Sequence, residues 1–179
     1  MVDTNSMMSL EEFHQISEDV TEKVLWSPIL NVYQSVLEQT DTNKTLDQIK
    51  AALNEKDRVT FGVFLFDLDL GFMGAVGTHK STYDTWTLTP VIMRDLHLSQ
   101  AMGAHEMIIT GYDDDAITTD EEGNQYKGLL TLRNSWSEKY GDKGDFYMTY
   151  DFFKALVMEA QRIRTLPDTV VEDLNPTIG

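Results

Sequence analysis

Three neighbouring segments decide how this chain is read: Gly103-Ala104-His105-Glu106-Met107-Ile108-Ile109-Thr110-Gly111-Tyr112-Asp113, then Leu132-Arg133-Asn134-Ser135-Trp136, then Tyr140-Gly141-Asp142-Lys143-Gly144-Asp145-Phe146-Tyr147-Met148. The apolar residues of 106–112 and 128–133 predict two neighbouring strands, separated by an acidic, glycine-containing linker over 113–127. A further short strand is expected over 145–149. After it, Phe152, Phe153, Leu156, Val157, Ala160 and Ile163 recur at helical spacing and predict a helix.

Order, residue type and spacing over 103–150 resemble the C-terminal half of papain-like cysteine peptidases, the group of papain, the cathepsins and bleomycin hydrolase. That pattern runs Gly-x-His-Ala-aliphatic, Gly-Tyr, Asn-Ser-Trp-Gly, then Trp-Gly-x-x-Gly-Tyr-aromatic. The resemblance implies an α+β, papain-like fold, here mainly the β-rich, barrel-like C-terminal domain with part of the helical domain. It implies three parts: a helical N-terminal segment over 1–40, the β-rich domain over 41–165 and an irregular tail over 166–179. Family chemistry then makes His105 the base that deprotonates a thiol and Asn134 the residue that orients its imidazole. Trp136 becomes the indole that keeps water from the Asn–His bond. Gly111, Gly141 and Gly144 are assigned to turns or close backbone approach.

Against that pattern stands the composition. The chain has 179 residues and no cysteine. Disulfides and thiolate metal sites are excluded, and so is a cysteine nucleophile from these residues. The family's Gln-x-x-x-x-x-Cys-Gly-x-Cys-Trp segment has no counterpart, and in the family it lies further upstream of the histidine than the 104 residues available here. Two expectations follow. Either a second chain carries the cysteine and completes a peptidase acting on peptides or proteins, with this chain inactive alone, or the chain is a non-catalytic pseudopeptidase that binds protein. No cofactor or metal is implied. Three departures accompany the missing thiol: Glu106 replaces the small residue after the histidine, Ser137 the glycine after Asn-Ser-Trp, and Asp145 an aromatic.

The remaining motifs are weaker. His105-Glu106 begins a zinc-protease H-E-x-x-H, but position 109 is Ile109, so the second imidazole is missing. An EF-hand loop starting in Asp113-Asp114-Asp115 lacks its glycine and its flanking helices, and the run reads as a solvated acidic segment. With 14 Lys or Arg against 30 Asp or Glu, the net charge is -16, which disfavours phosphate backbones and anionic membranes. No apolar run approaches the roughly 18 residues of a spanning helix. Met1–Ser6 shows neither a basic nor an apolar signal-peptide region; the resemblance implies a secreted, vesicular or lysosomal setting, and the cysteine-free sequence suits a bacterial or cytosolic one equally well, so the compartment stays open.

Upstream, Ser9-Leu10-Glu11-Glu12 is a capping box, and residues 20–38 read as mostly helix around Pro28. A second capping box at Thr45-Leu46-Asp47-Gln48 opens an amphipathic helix over 46–56, with Leu46, Ile49 and Leu53 on one stripe. Val59 to Leu70 reads as a buried strand running to an edge, and Gly71 to Thr89 as a long loop or a loose hairpin.

Overall fold

The computed structural model describes residues 9–31, 41–66, 74–98 and 102–165. They fall into two compact units, Met1–Trp26 with Ile163–Gly179, and Ser27–Arg162. The first contains helix α1 (Leu10–Lys23), opened by the expected capping box: Glu12 N–H donates to Ser9 Oγ at 3.1 Å, and Ser9 N–H to Glu12 Oε2 at 2.8 Å. The helix stops sooner than its spacing predicts. From Val24 the chain becomes strand β1 (Val24–Leu30), and residues 32–38 of the predicted helix lie outside the described residues. β1 is an edge strand, where Pro28 withdraws no ladder donor from a second neighbour.

Helix α2 (Thr42–Asn54) starts three residues before the expected cap. Asp41 takes that role because its carboxylate accepts the amides of both Asn43 and Lys44, leaving Thr45 to be buried within the helix. Ile49 and Ala52 carry the buried stripe against β2 (Arg58–Phe66), where Val59, Phe61, Val63 and Leu65 alternate into the core. Residues 67–73 lie outside the described set. The loop reading survives over 74–89, interrupted by the two-residue β3 (Thr85–Trp86) and bridges from Gly77 to Thr85 and Thr78 to Thr119. Helix α3 (Pro90–His97) was not expected, although Thr89 at the N-cap and Pro90 at the first helical position are its signals.

The sheet order is β1-β7-β2-β4-β5-β6-β3. β4 (Met102–Thr119) pairs antiparallel with β2 and with β5 (Gln125–Arg133), and β5 pairs antiparallel with β6 (Asp145–Thr149). The acidic linker is therefore mostly strand. Only 120–124 turn, held by Asp120, and a register shift between Asp113 and Ile117 bulges the acidic run outward. The predicted terminal helix is also corrected: α4 (Tyr150–Leu156) ends at one face of the core and β7 (Val157–Thr165) continues as a strand, because the place between β1 and β2 supplies ladder partners that helical spacing cannot foresee. The tail beyond 165 lies outside the described residues. The architecture is α+β, with one seven-stranded sheet and few helices among the described residues, as expected.

Candidate active site

Strand alternation sets up the site. Along β4, Met107 and Ile109 are buried while Glu106, Ile108 and Thr110 are exposed, so His105 lies on the core-facing side of the stretch paired with β2. Its ladder partner is Val63. On the neighbouring strand Leu132 is buried and Asn134 follows two residues later on the same side, 8% exposed. β4 and β5 pair through Ile109↔Leu132 and Ile108↔Arg133, which brings the ends of both strands side by side.

All three residues expected at the site meet there. His105 Nε2 lies 2.9 Å from Asn134 Oδ1. The same oxygen accepts the Ser135 backbone N–H at 2.7 Å. An amide N–H only donates, so this bond fixes which end of the Asn134 side chain is oxygen. Facing an acceptor, Nε2 must carry the proton and donate, and the neutral ring keeps its lone pair on Nδ1. Asn134 N–H in turn donates to Gly144 O at 3.2 Å, tying the residue to the following loop. Its Nδ2 is buried with no acceptor among the described residues.

Trp136 covers the imidazole, with ring centroids 4.9 Å apart and planes inclined by 22°. Phe146 meets the indole edge-on at 5.6 Å, and Trp86 stacks on Phe146 at 5.0 Å. Both are fully buried. These contacts, and the amide of Ser135, are what the sequence motif does not announce: Trp86 is distant in the chain, Phe146 lies in the motif without its packing on the indole being readable there, and the amide is backbone.

The loop from Ser137 to Asp145 closes the site's edge. A Cβ on Gly141, at φ 61°, would stand 2.4 Å from Asp145 O, so the glycine is required there. Tyr147 OH donates to Asp142 Oδ2 at 2.8 Å, and burial together with that bond holds the phenol above its ordinary range. Lys80 sits over the Tyr147 ring at 5.2 Å.

The three departures now have places. Glu106 points to the sheet face opposite His105. Asp145 forms an ion pair with Arg133, its cross-strand partner, at 2.7 Å between Nε and Oδ1. Ser137 adopts φ 87°, the left-handed region that glycine enters without strain. The acidic run is engaged locally: Asp114 with Lys50 and Tyr150, Asp115 with Lys127, and Asp113 with the amides of Asp115 and Ala116. Lys50 and Tyr150 hold the Asp114 carboxyl below its ordinary range. Among the described residues no three His, Asp or Glu side chains are arranged to hold a metal.

A family model described as peptidase C1-like matches residues 29–178. Comparison with curated proteins found no match. Among solved structures, PepW of Lactobacillus rhamnosis HN001 is similar at 21% identity and a TM-score of 0.41, over 75% of this chain and 29% of that one. Xylellain, a cysteine protease from Xylella fastidiosa, is similar at 20% identity and a TM-score of 0.43, over 68% and 37%. Bromelain protease from Ananas comosus gives 14% identity and a TM-score of 0.40, over 79% and 50%. The chain thus spans about a third of the length of the first two.

Proposed function

The chain belongs to the peptidase C1-like family, and from that premise we propose that it supplies the histidine and asparagine of a thiol-dependent peptide-bond hydrolysis, the cysteine coming from outside these 179 residues, on a partner chain. His105 Nδ1 takes the thiol proton, leaving a thiolate and an imidazolium. Asn134 Oδ1 receives the Nε2 proton bond in both states, so the ring keeps its orientation while its charge changes. The thiolate adds to the scissile carbonyl, His105 returns the proton to the leaving amine, and water later releases the acyl group. Trp136 keeps water from the His105–Asn134 bond, which strengthens it in the lower local dielectric.

The observation that carries this reading is the 2.9 Å contact of Nε2 with an asparagine oxygen whose identity the Ser135 amide fixes. The test begins with the native complex. A thiol-alkylating probe is expected to label a polypeptide that copurifies with this chain, and the complex is expected to cleave peptides. His105→Ala should abolish cleavage, and Asn134→Ala should lower it less, as befits a base and its orienting partner. Equal and negligible effects of the two changes would remove the assignment.

A second reading is favoured by the absence of cysteine from all 179 residues: a non-catalytic module that binds protein. Its mark would be a complex in which no thiol is labelled and His105→Ala leaves binding intact.

A further inference from the structure

Trp136 lies half-buried over His105, and a cover made of one side chain excludes water only while its own orientation is held. Phe146 and Trp86 both grip the indole edge-to-face, the arrangement that aromatic quadrupoles favour, with Trp86 at 6.1 Å and 67° between planes. They also stack on each other, so the cover rests on a wall of paired rings. Phe146 is fixed in the β6 ladder, opposite Leu132. Trp86 arrives from the segment 74–89, far from the motif.

Strand β3 holds only Thr85 and Trp86, paired in parallel with Tyr147 and Met148, and so short a ladder secures little by itself. Asp84 supplies the hold. It is fully buried, and its carboxylate accepts the amides of His79, Lys80 and Ser81 at 2.8, 2.8 and 2.6 Å and the Thr85 hydroxyl at 2.8 Å. Bonds to an ionised acceptor are the stronger kind. The Asp84 carbonyl also takes the Tyr147 N–H at 2.7 Å, which ties the segment to β6 beside Phe146.

We infer that Trp86 is a positioning residue for His105, acting through Trp136, with Asp84 holding Trp86 in place. The inference rests on the reading of His105 as the base and extends it to a side chain that touches no reacting atom. Without the Trp86 ring, Trp136 can swing from the imidazole, and water then competes with Asn134 Oδ1 for the Nε2 proton. The proton is no longer confined to one nitrogen, and the fraction of rings with a lone pair on Nδ1 falls.

The experiment uses the whole chain with 15N-labelled histidines at a pH where the ring is neutral, His105 being assigned among the 4 histidines by the signals lost in His105→Ala. Wild type is expected to show one tautomer at His105, with an Nε2–H that exchanges slowly enough to be seen. Trp86→Leu should speed that exchange about fivefold or more and populate both tautomers, and Trp86→Phe, which keeps a ring in place, should do so less. Asp84→Asn sets an amide donor against the donors of its own loop and should speed exchange as well. Phe153→Leu is the control: it trims a buried ring that packs on Phe61, and should lower the melting temperature while leaving His105 exchange unchanged. In the complete complex Trp86→Leu should lower kcat with KM little changed. Overturning results are an unchanged exchange rate in the Trp86 and Asp84 variants, or an equal acceleration in Phe153→Leu, which would make the effect a general loosening of the core. If Trp86→Leu does not fold, Trp86→Phe against Phe153→Leu decides on the same terms. The imidazole signals need no thiol, so a chain that never cleaves peptides leaves this test intact. Loss of cleavage in His105→Ala beside unchanged exchange in Trp86→Leu would keep the peptidase reading and remove this one.

Discussion

The two faces of the β4–β5 pair differ as sharply as two separate proteins, although successive residues supply them. The inner face carries His105, Met107, Ile109, Leu132 and Asn134, packed under Trp136 and the core. The outer face carries Glu106, Ile108, Arg133 and Ser135, all exposed. Chemistry and stability are thus interleaved at a period of two, and neighbours in sequence have different tasks. A departure from a family motif must be judged by its face: Glu106 sits one residue from the imidazole and on the other side of the sheet.

The largest contrast is between two isoleucines. Ile109 is fully buried and Ile108 is 38% exposed. Ile109→Ala should cost about 2–5 kcal/mol through lost burial and a residual cavity, whereas Ile108→Ala should stay within roughly 0.5–1 kcal/mol. Denaturant unfolding of both variants checks this, and similar losses would mean that the outer face is covered in solution.

The separation of faces depends on register, and register depends on the turn between the strands. Asp120, 8% exposed, accepts the amides of Glu122 and Asn124 and the side chains of Asn124 and Tyr126. Burial alone would raise its pKa, but the bonds from Asn124, Tyr126 and the Glu122 amide outweigh it and hold the carboxyl below 3.8. Tyr126, half-buried and bonded to that carboxylate, is pushed up to about 12. A depressed carboxyl stabilises the fold above its unfolded pKa, and that contribution is lost as pH falls through the folded value. Asp120→Asn should therefore cost about 1–2 kcal/mol at neutral pH, with the gap to wild type closing below roughly pH 4. A gap independent of pH would show that turn geometry, not charge, holds the register. A one-residue slip would carry His105 to the outside.

How much of this was legible follows from which forces are local. Leu46, Ile49 and Leu53 announced α2, and the run Val59–Leu65 announced β2, because side-chain period and burial agree there. The helix expected through Ile163 failed at Val157. Phe152, Phe153, Leu156, Val157 and Ala160 fit a helical stripe, yet the gap between β1 and β2 takes residues 157–165 as a strand, and no local pattern encodes a gap elsewhere. Asp113–Asp115 hid the length of β4 because acidic residues read as loop, while Lys50, Lys127 and Tyr150 hold them to the protein. Within the site, His105, Asn134 and Trp136 were legible as a pattern. The proton's position on Nε2 was not, since it depends on a backbone amide.

Smaller effects separate the loop that closes the inner face from the ion pair on the outer one. Ser137 holds φ 87° where glycine would rest unstrained, so Ser137→Gly should stabilise the chain by about 1 kcal/mol, raising the melting temperature by roughly 2–4 °C. The gain would be reduced by the lost bond from Lys139 N–H to Ser137 Oγ, long at 3.3 Å. An unchanged or lower melting temperature would mean that this hydroxyl outweighs the backbone strain.

The smallest effect belongs to Arg133. Its ion pair with Asp145 joins β5 to β6 on the outer face, but the arginine side chain is 56% exposed and water screens the attraction. Arg133→Ala should therefore cost no more than about 1 kcal/mol, less at high salt, and should leave the His105–Asn134 contact in place. Amide resonances of Asn134 and Ser135 check the second half of that expectation. If they move as far as those of Arg133 itself, the two faces are mechanically coupled through the backbone, and a ligand on the outer side would be felt at the imidazole.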